Sequence, residues 1–367
     1  MSVEKCRWGF LSTAEIGFKN WKAINLSGNG TVVAVASRDS SRSQEFIDQC
    51  QSYVPFQQAP QALGSYQELI DHPEVDAVYI PLPTGMRKEW VIKAANAGKH
   101  VLCEKPCAIN ATDLKTMIDA CENNNVQFMD GVMYMHTDRL ASMRSTLDDS
   151  DSIGELRRIA VQFSFCAPDG FKEENIRTDP DLEPHGCLGD LGWYTIRFIL
   201  WAMNYQMPQS VTGRILTDYR RTPSTESVPM EFSGDLVFEN GVSASFYNSF
   251  ITEHQQWANL SGSKGNLTVS DLVLPFHSNC LDYRVSQPRF NVYGCDFNME
   301  DHSQTITTQE YSSAAHSAGE TKLFTRFSSI ATSGRREPQW PDYSLKTQQV
   351  LDKCYESARN GSRSMSF

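Results

Sequence analysis

Apolar residues in the first third of the chain come in short unbroken runs, set apart by longer stretches in which apolar and polar positions mix at helical spacing. Arg7-Trp-Gly-Phe-Leu11, Thr31 to Ser37, Ala77 to Ile80, Val101 to Cys103 and Val126 to Val132 are the runs. A strand buried on both faces has no polar face to show and is apolar throughout, so each run predicts a buried strand. Helices are predicted between them: Lys19 to Ile24, Ser43 to Gln51, Ser65 to Asp71, Lys88 to Ala97 and Asp113 to Asn123. Gly98 stops the fourth of these, and Asn110 or Thr112 caps the fifth. Strand and helix alternate throughout, which predicts an α/β domain with a parallel sheet, helices on both faces, closing near residue 135.

Beyond Met135 the pattern changes. A helix is predicted from Asp138 to Leu147, and Glu155 to Cys166 then alternates, with Arg158, Ala160, Gln162 and Ser164 set against Ile159, Val161, Phe163 and Phe165. Glu231 to Phe238 is joined by Asn240-Gly241 to the run Val242 to Phe250, the strongest short signal for a hairpin. Trp257 to Val269 is strand-like again, interrupted by Gly262-Ser-Lys-Gly265. These features predict an α+β domain over residues 136–367: an open, mostly antiparallel sheet with helices on one face and the other face available to a second subunit. A last helix, Tyr343 to Asn360, has apolar positions at Leu345, Val350, Leu351 and Tyr355 and is expected to return to the first domain. The polar stretch 299–317 is the least ordered by composition.

Composition narrows the function classes. The chain has 367 residues, 40% hydrophobic and 21% charged, with a net charge of -11, so nucleic acid and anionic membranes are poor partners. Its opening, Met-Ser-Val-Glu-Lys-Cys-Arg, lacks the apolar core of a signal peptide, and no segment offers about 18 consecutive apolar residues; a soluble, cytoplasmic protein is expected. Ten cysteines are scattered without zinc spacing, which suits reduced structural thiols and no metal site.

Candidate chemistry sits where strands end. The first strand runs into Ser12-Thr13-Ala14-Glu15-Ile16-Gly17, the strand-turn-helix opening of a Rossmann dinucleotide-binding fold with Ser12 and Ala14 where the first two glycines of Gly-x-Gly-x-x-Gly would stand. Small residues still let backbone amides approach a pyrophosphate. A plain strand-helix unit would look similar. The second strand ends at Ser37-Arg38, with Arg42 beyond, and this is where the adenosine ribose is read. A hydroxyl and guanidinium groups suit a 2′-phosphate, which favours NADP(H) over NAD(H), while Asp39 could instead turn back towards a free ribose hydroxyl. Pro81-Leu82-Pro83 leaves the third strand, and Glu104-Lys105-Pro106 leaves the fourth. Taken alone, Glu104 and Lys105 fit a surface ion pair as well as a site. In the second domain, Glu183-Pro-His185-Gly-Cys-Leu-Gly-Asp190-Leu-Gly-Trp-Tyr194 enters the apolar helix Thr195 to Met203. Asp190 and Tyr194 are spaced to share a helix face, and a tyrosine near an ammonium group can pass a hydroxyl proton. An ordinary capped helix with a buried aromatic has the same pattern, and His185 is equally ambiguous.

Together, the Ser12 to Gly17 turn, Pro81-Leu-Pro83, Ala97-Gly-Lys-His-Val-Leu-Cys-Glu-Lys-Pro106, Gly186-Cys-Leu-Gly-Asp-Leu-Gly-Trp-Tyr194 and Gly262-Ser-Lys-Gly265 resemble the glucose-fructose oxidoreductase / inositol dehydrogenase (Gfo/Idh/MocA) family over nearly the whole chain. Trp8-Gly9, Ser37-Arg38 and Tyr194 are most similar to its NADP-dependent branch with dihydrodiol and D-xylose dehydrogenases. The resemblance implies a nicotinamide cofactor and a sugar, polyol or vicinal diol substrate bound between nucleotide fold and open sheet. It implies that Lys105 polarises the reacting oxygen, that Tyr194 is the acid/base and that Asp190 holds substrate or tunes its partners. Glu104 would lie near the nicotinamide ribose, Pro81, Leu82 and Pro83 would line the cofactor cleft, and His185 and His136 would be further substrate contacts. Two departures stand out. Thr84 and Arg87 replace the Asn and His of many relatives, Arg87 being read as a solvated arginine at a helix start ahead of the alternative of a new anion or sugar contact, and Met135-His136-Thr137 replaces a more usual Arg-x-His-like segment. A cofactor-binding regulator without catalysis and an NAD-assisted glycoside hydrolase are the other activities the family admits. A homodimer or homotetramer through the open sheet is the expected assembly.

Overall fold

The computed structural model describes residues 5–367. In chain order the elements begin β1 (Cys6–Leu11), α1 (Ile16–Ser27), β2 (Gly30–Ala36), α2 (Ser40–Tyr53), β3 (Gln61–Leu63), α3 (Tyr66–Ile70), β4 (Ala77–Ile80), α4 (Thr84–Asn96), β5 (His100–Cys103), α5 (Ala111–Asn123) and β6 (Phe128–Asp130). They continue with α6 (Asp138–Asp148), β7 (Leu156–Cys166), α7 (Phe171–Glu174), α8 (Gly186–Asp190), α9 (Gly192–Ala202), β8 (Ser210–Tyr219), β9 (Val228–Val237), β10 (Ser243–Ser249), β11 (Ile251–Gln255), β12 (Ala258–Gly262) and β13 (Asn266–Val269). The last are β14 (Leu281–Ser286), β15 (Arg289–Tyr293), β16 (Asp296–Glu300), β17 (Ser303–Thr308), α10 (Gly319–Ser333), α11 (Gln339–Arg359) and β18 (Met365–Ser366). Two compact units result. Unit 1 gathers 1–136, 181–184 and 313–349, and unit 2 gathers 137–180, 185–312 and 350–367. Residues 181–184 and 313–349, which the sequence reading gave to the second domain, thus cluster with the first.

Unit 1 is a six-stranded sheet in the order β3-β2-β1-β4-β5-β6, parallel at every pairing. This is the doubly wound order in which successive crossovers change direction between β1 and β4. Its core is aromatic. Trp8 and Phe10 of β1 are fully buried, Trp8 meets Phe324 and Phe327 of α10 at centroid distances of 5.1 Å, and Phe10 meets Tyr79 of β4 at 5.1 Å. The Trp8 indole N–H donates to Ser328 Oγ at 3.1 Å, which satisfies its buried donor. Late chain therefore completes the core around the first strand. Helix α10 escaped the sequence reading, as did the three-residue β3, and α4 starts at Thr84, ahead of Lys88, so that Arg87 lies inside it.

Unit 2 is built on a large sheet in the order β17-β14-β13-β12-β7-β10-β9-β8-β18, with β11 also paired to β7. All pairings are antiparallel except β7 with β10. The Asn240-Gly241 hairpin joins β9 to β10, and Gly241 has φ +81°, which glycine adopts without a Cβ clash. Helix α9 is buried from Gly192 to Ala202 and covers one face, where Thr195 Oγ1 donates to Asn248 Oδ1 of β10 at 3.2 Å. The alternate residues Ser243 and Ser245 lie on the other face, where Arg158 bridges them. The polar stretch that composition marked as least ordered contains β17, an exposed edge strand paired with β14 along its length. All ten cysteines are free thiols.

Candidate active site

In a doubly wound sheet the carboxyl ends of the strands flanking the reversal leave a crevice, because the loops there run to opposite faces. In unit 1 those ends are Ser12 after β1 and Pro81 after β4, with Glu104 beside them after β5. Ser12 is buried and has φ +144°, a conformation glycine adopts freely and other residues rarely. Its Oγ accepts the Ala14 N–H at 3.0 Å, so the serine side chain holds the turn that a glycine would merely permit. Thr13 and Ala14 are half-buried, while Glu15 and Ile16 are exposed at the start of α1. Gly17 has the packing role of the third glycine, since a Cβ there would lie 2.9 Å from the Phe46 ring.

At the end of β2, Ser37 is buried and its Oγ donates to Asp39 O at 2.7 Å. Asp39 caps α2: its carboxylate accepts the Ser41 N–H at 2.9 Å, and this bond holds its pKa below the usual carboxylate range. The carboxylate is thus committed to its own helix. Arg38 and Arg42 are exposed next to it, and both charges act on the Tyr66 phenol, whose pKa burial nonetheless raises. Tyr66, packed edge-on against Trp90 at 5.1 Å, is a neighbour the sequence did not mark. A strained small-residue turn and a pair of uncommitted guanidinium groups fit a dinucleotide carrying a 2′-phosphate.

The loops after β4 and β5 are held together. Glu104 Oε1 accepts the Tyr79 hydroxyl at 2.6 Å, Tyr79 in turn accepts from Asn20 Nδ2 at 2.5 Å, and Glu104 Oε2 accepts the Lys105 N–H at 3.2 Å. Burial and the Glu104 charge push the Tyr79 pKa well up, so this phenol stays a donor. Lys105 is half-buried and the Lys105–Pro106 peptide is cis. Arg87 is not solvated: it is 5% exposed, its Nε donates to Leu82 O at 2.6 Å and its Nη1 to Glu104 O at 2.9 Å and to Pro106 O. The physical reason is that carbonyls turned inwards at two strand ends need donors, and a five-donor fork supplies them. Thr84, also buried, donates its N–H to Glu183 Oε1 at 3.0 Å and its hydroxyl to Glu183 Oε2 at 2.7 Å, so a carboxylate from the 181–184 segment caps α4. His136 closes a 3-10 turn, its ring stacked on Trp340 at 4.6 Å.

Unit 2 carries the other predicted residues. Asp190 ends α8 and Tyr194 lies in the first turn of α9, with Leu191 between them keeping helical backbone angles. Asp190 Oδ2 is 2.8 Å from Nε of Arg177, an ion pair between a mostly buried carboxylate and a half-exposed arginine. Sequence reasoning missed Arg177, and nothing in its irregular, acid-rich setting marks it. Tyr194 is 8% exposed and packs edge-on against Phe163 of β7 at 5.8 Å. His185 is buried beside Tyr355 with its Nδ1 unpaired, and burial lowers its pKa to about 4, so its imidazole is neutral. Lys105 thus belongs to unit 1, and Asp190, Tyr194 and His185 to unit 2.

Residues 6–132 match the model of the Gfo/Idh/MocA oxidoreductase family with an NAD-binding Rossmann fold, and residues 142–268 match a Gfo/Idh/MocA C-terminal domain. D-xylose 1-dehydrogenase (NADP(+)) 2 of Haloferax volcanii is 32% identical over 71% of this chain and 74% of its own. Trans-1,2-dihydrobenzene-1,2-diol dehydrogenase of Sus scrofa is 29% identical over 72% and 74%. Among solved structures, a 3-ketoreductase from Actinomadura kijaniata in complex with NADP and TDP-benzene is similar in fold at TM-score 0.78 and 22% identity, with 98% of each chain covered.

Proposed function

The chain belongs to the Gfo/Idh/MocA family of oxidoreductases, and from that premise we propose that it transfers hydride between NADP(H) and a carbinol or carbonyl carbon of a sugar, polyol or vicinal diol. The nicotinamide, when bound, gives or takes the hydride at C4. The protein's own groups do the rest. The ammonium group of Lys105 polarises the reacting oxygen, Tyr194 gives or takes its proton, and Asp190, oriented by Arg177, holds a substrate hydroxyl. Ser12 to Ile16 accept the pyrophosphate, Ser37, Arg38 and Arg42 the 2′-phosphate, and Glu104 with Pro81, Leu82 and Pro83 the nicotinamide half. His185 and His136 are further substrate contacts. The observation that carries the NADP(H) preference is the Asp39 cap: the acidic side chain that could have bound a free ribose hydroxyl is occupied, and two arginines stand free beside it.

In the same reading the enzyme is cytoplasmic and associates as a homodimer or homotetramer through the outer face of its large sheet. Small polar side chains such as Ser245, Asn259 and Thr268, none of them fully buried, support a flat face suited to close packing. Among the described residues no helix is long and apolar enough to cross a membrane.

The test is turnover of purified protein with NADP(H) and a panel of aldoses, inositols and dihydrodiols. Lys105→Ala and Tyr194→Phe are each expected to lower kcat by about 10²-fold or more. Absence of turnover on the whole panel together with tight NADP(H) binding would favour a regulator instead.

A further inference from the structure

We infer that Arg87 is a positioning residue for Lys105, an inference that rests on the proposed role of Lys105 in catalysis. The lysine sits between two peptide carbonyls, Glu104 O and Pro106 O, and both accept from the same Arg87 Nη1. The Nε of the same guanidinium donates to Leu82 O at 2.6 Å, in the loop leaving the neighbouring strand. Since β4 and β5 pair in parallel up to Ile80 and Cys103, Arg87 fastens together the two loops that leave one edge of the sheet side by side. The Lys105 N–H is taken by Glu104 Oε2, so the peptide unit on the amino side of the lysine is anchored at both its carbonyl and its amide.

The arginine is 5% exposed, and among the described residues no carboxylate lies within ion-pairing distance of it. A buried cation compensated by carbonyl dipoles alone is costly, and an apolar side chain would fill the space without that cost. What an apolar residue cannot do is span three carbonyls on two loops. A lysine could not do it either, because its donors share one atom, whereas the guanidinium fork presents donors in fixed, divergent directions. Position 87 therefore governs how firmly the Lys105 ammonium group is aimed, although the arginine itself never meets substrate.

The experiment is a double-variant cycle on the full chain, with kcat, KM and the NADPH dissociation constant measured for Arg87→Lys, Arg87→Met, Lys105→Ala and the combinations. Arg87→Lys and Arg87→Met are expected to lower kcat on the order of 10- to 100-fold, with KM and NADPH affinity changing less than about threefold. In the Lys105→Ala background the same changes should cost less than about twofold, because there is no ammonium group left to aim. Losses that multiply in the double variants, or full kcat in Arg87→Met, would overturn the inference. Arg87→Lys keeps the charge and answers the question should Arg87→Met fail to fold. If Lys105→Ala alone retains full activity, the catalytic role of Lys105 fails first, and the two failures are distinguished within one data set.

Discussion

Ser12 occupies a backbone conformation at φ +144° that glycine would take at ease, and it compensates with the hydrogen bond its Oγ accepts from the Ala14 N–H. Backbone strain of this kind costs about 1–3 kcal/mol, the hydrogen bond returns roughly 1, and glycine loses about 0.5–1 in chain entropy. Ser12→Gly should therefore unfold in urea within about 1 kcal/mol of the native chain, whereas Ser12→Ala, which keeps the strain and loses the bond, should be about 1 kcal/mol less stable than the glycine variant. The reverse order would mean that the turn is not strained.

His185 gives a pH signature. Its folded pKa of about 4 lies below the value of about 6.5 in an unfolded chain, so the unfolded state takes up the proton first as pH falls. Above pH 6.5 both states are neutral and His185 has no effect. Between about 6.5 and 4 stability declines with acidity, by up to roughly 3 kcal/mol, and below 4 the loss levels off. His100, whose pKa burial also lowers, adds to the same trend. Urea midpoints at pH 7 and 4.5 should therefore fall less in His185→Gln than in the native chain, and equal falls would show that His185 is not held neutral.

At the scale of elements, α4 owes its first turn to a carboxylate remote in sequence. Pro83 provides no side-chain cap, and Glu183 takes both the N–H and the hydroxyl of Thr84. Glu183→Ala would leave a buried amide unpaired and should cost about 2 kcal/mol in urea unfolding, with Glu183→Gln losing less because one acceptor survives. Sequence could show the helix but not its cap, since nothing local ties Glu183 to Thr84. The same limit applies to Arg87: an arginine in a first helical turn looks solvated until the carbonyls that claim it are known. By contrast, α10 was within reach, because Leu323, Phe324, Phe327 and Ile330 recur at helical spacing and all are buried. The polar Ser and Thr residues among them masked it. The three residues of β3 are too few for any periodicity to register.

For the whole molecule, both halves of the fold were legible because buried parallel strands and alternating antiparallel ones leave different patterns, and those patterns do not depend on distant partners. The order of chain segments in space did depend on them, and there the reading stopped short. Cofactor choice belongs at this scale too. Saturating a ligand site at about 100 times its dissociation constant stabilises the folded state by about 2.7 kcal/mol, so NADP(H) should raise the thermal midpoint more than NAD(H) at equal concentration, and Arg38→Ala should narrow the gap. Equal shifts from the two cofactors would argue against the 2′-phosphate assignment.

The aromatic contact between Trp8 and Phe324 has a consequence for synthesis. About 325 residues separate Trp8 from Ser333, where the helix that covers it and takes its indole N–H ends. At roughly 5–20 residues per second, the nascent chain carries an uncovered tryptophan face for about 15 to 60 s while β7 to β17 are being made. The strands of the nucleotide fold are translated ahead of those of the large sheet yet are covered only after most of them, so β1 is a natural client for a chaperone that grips exposed aromatic surface.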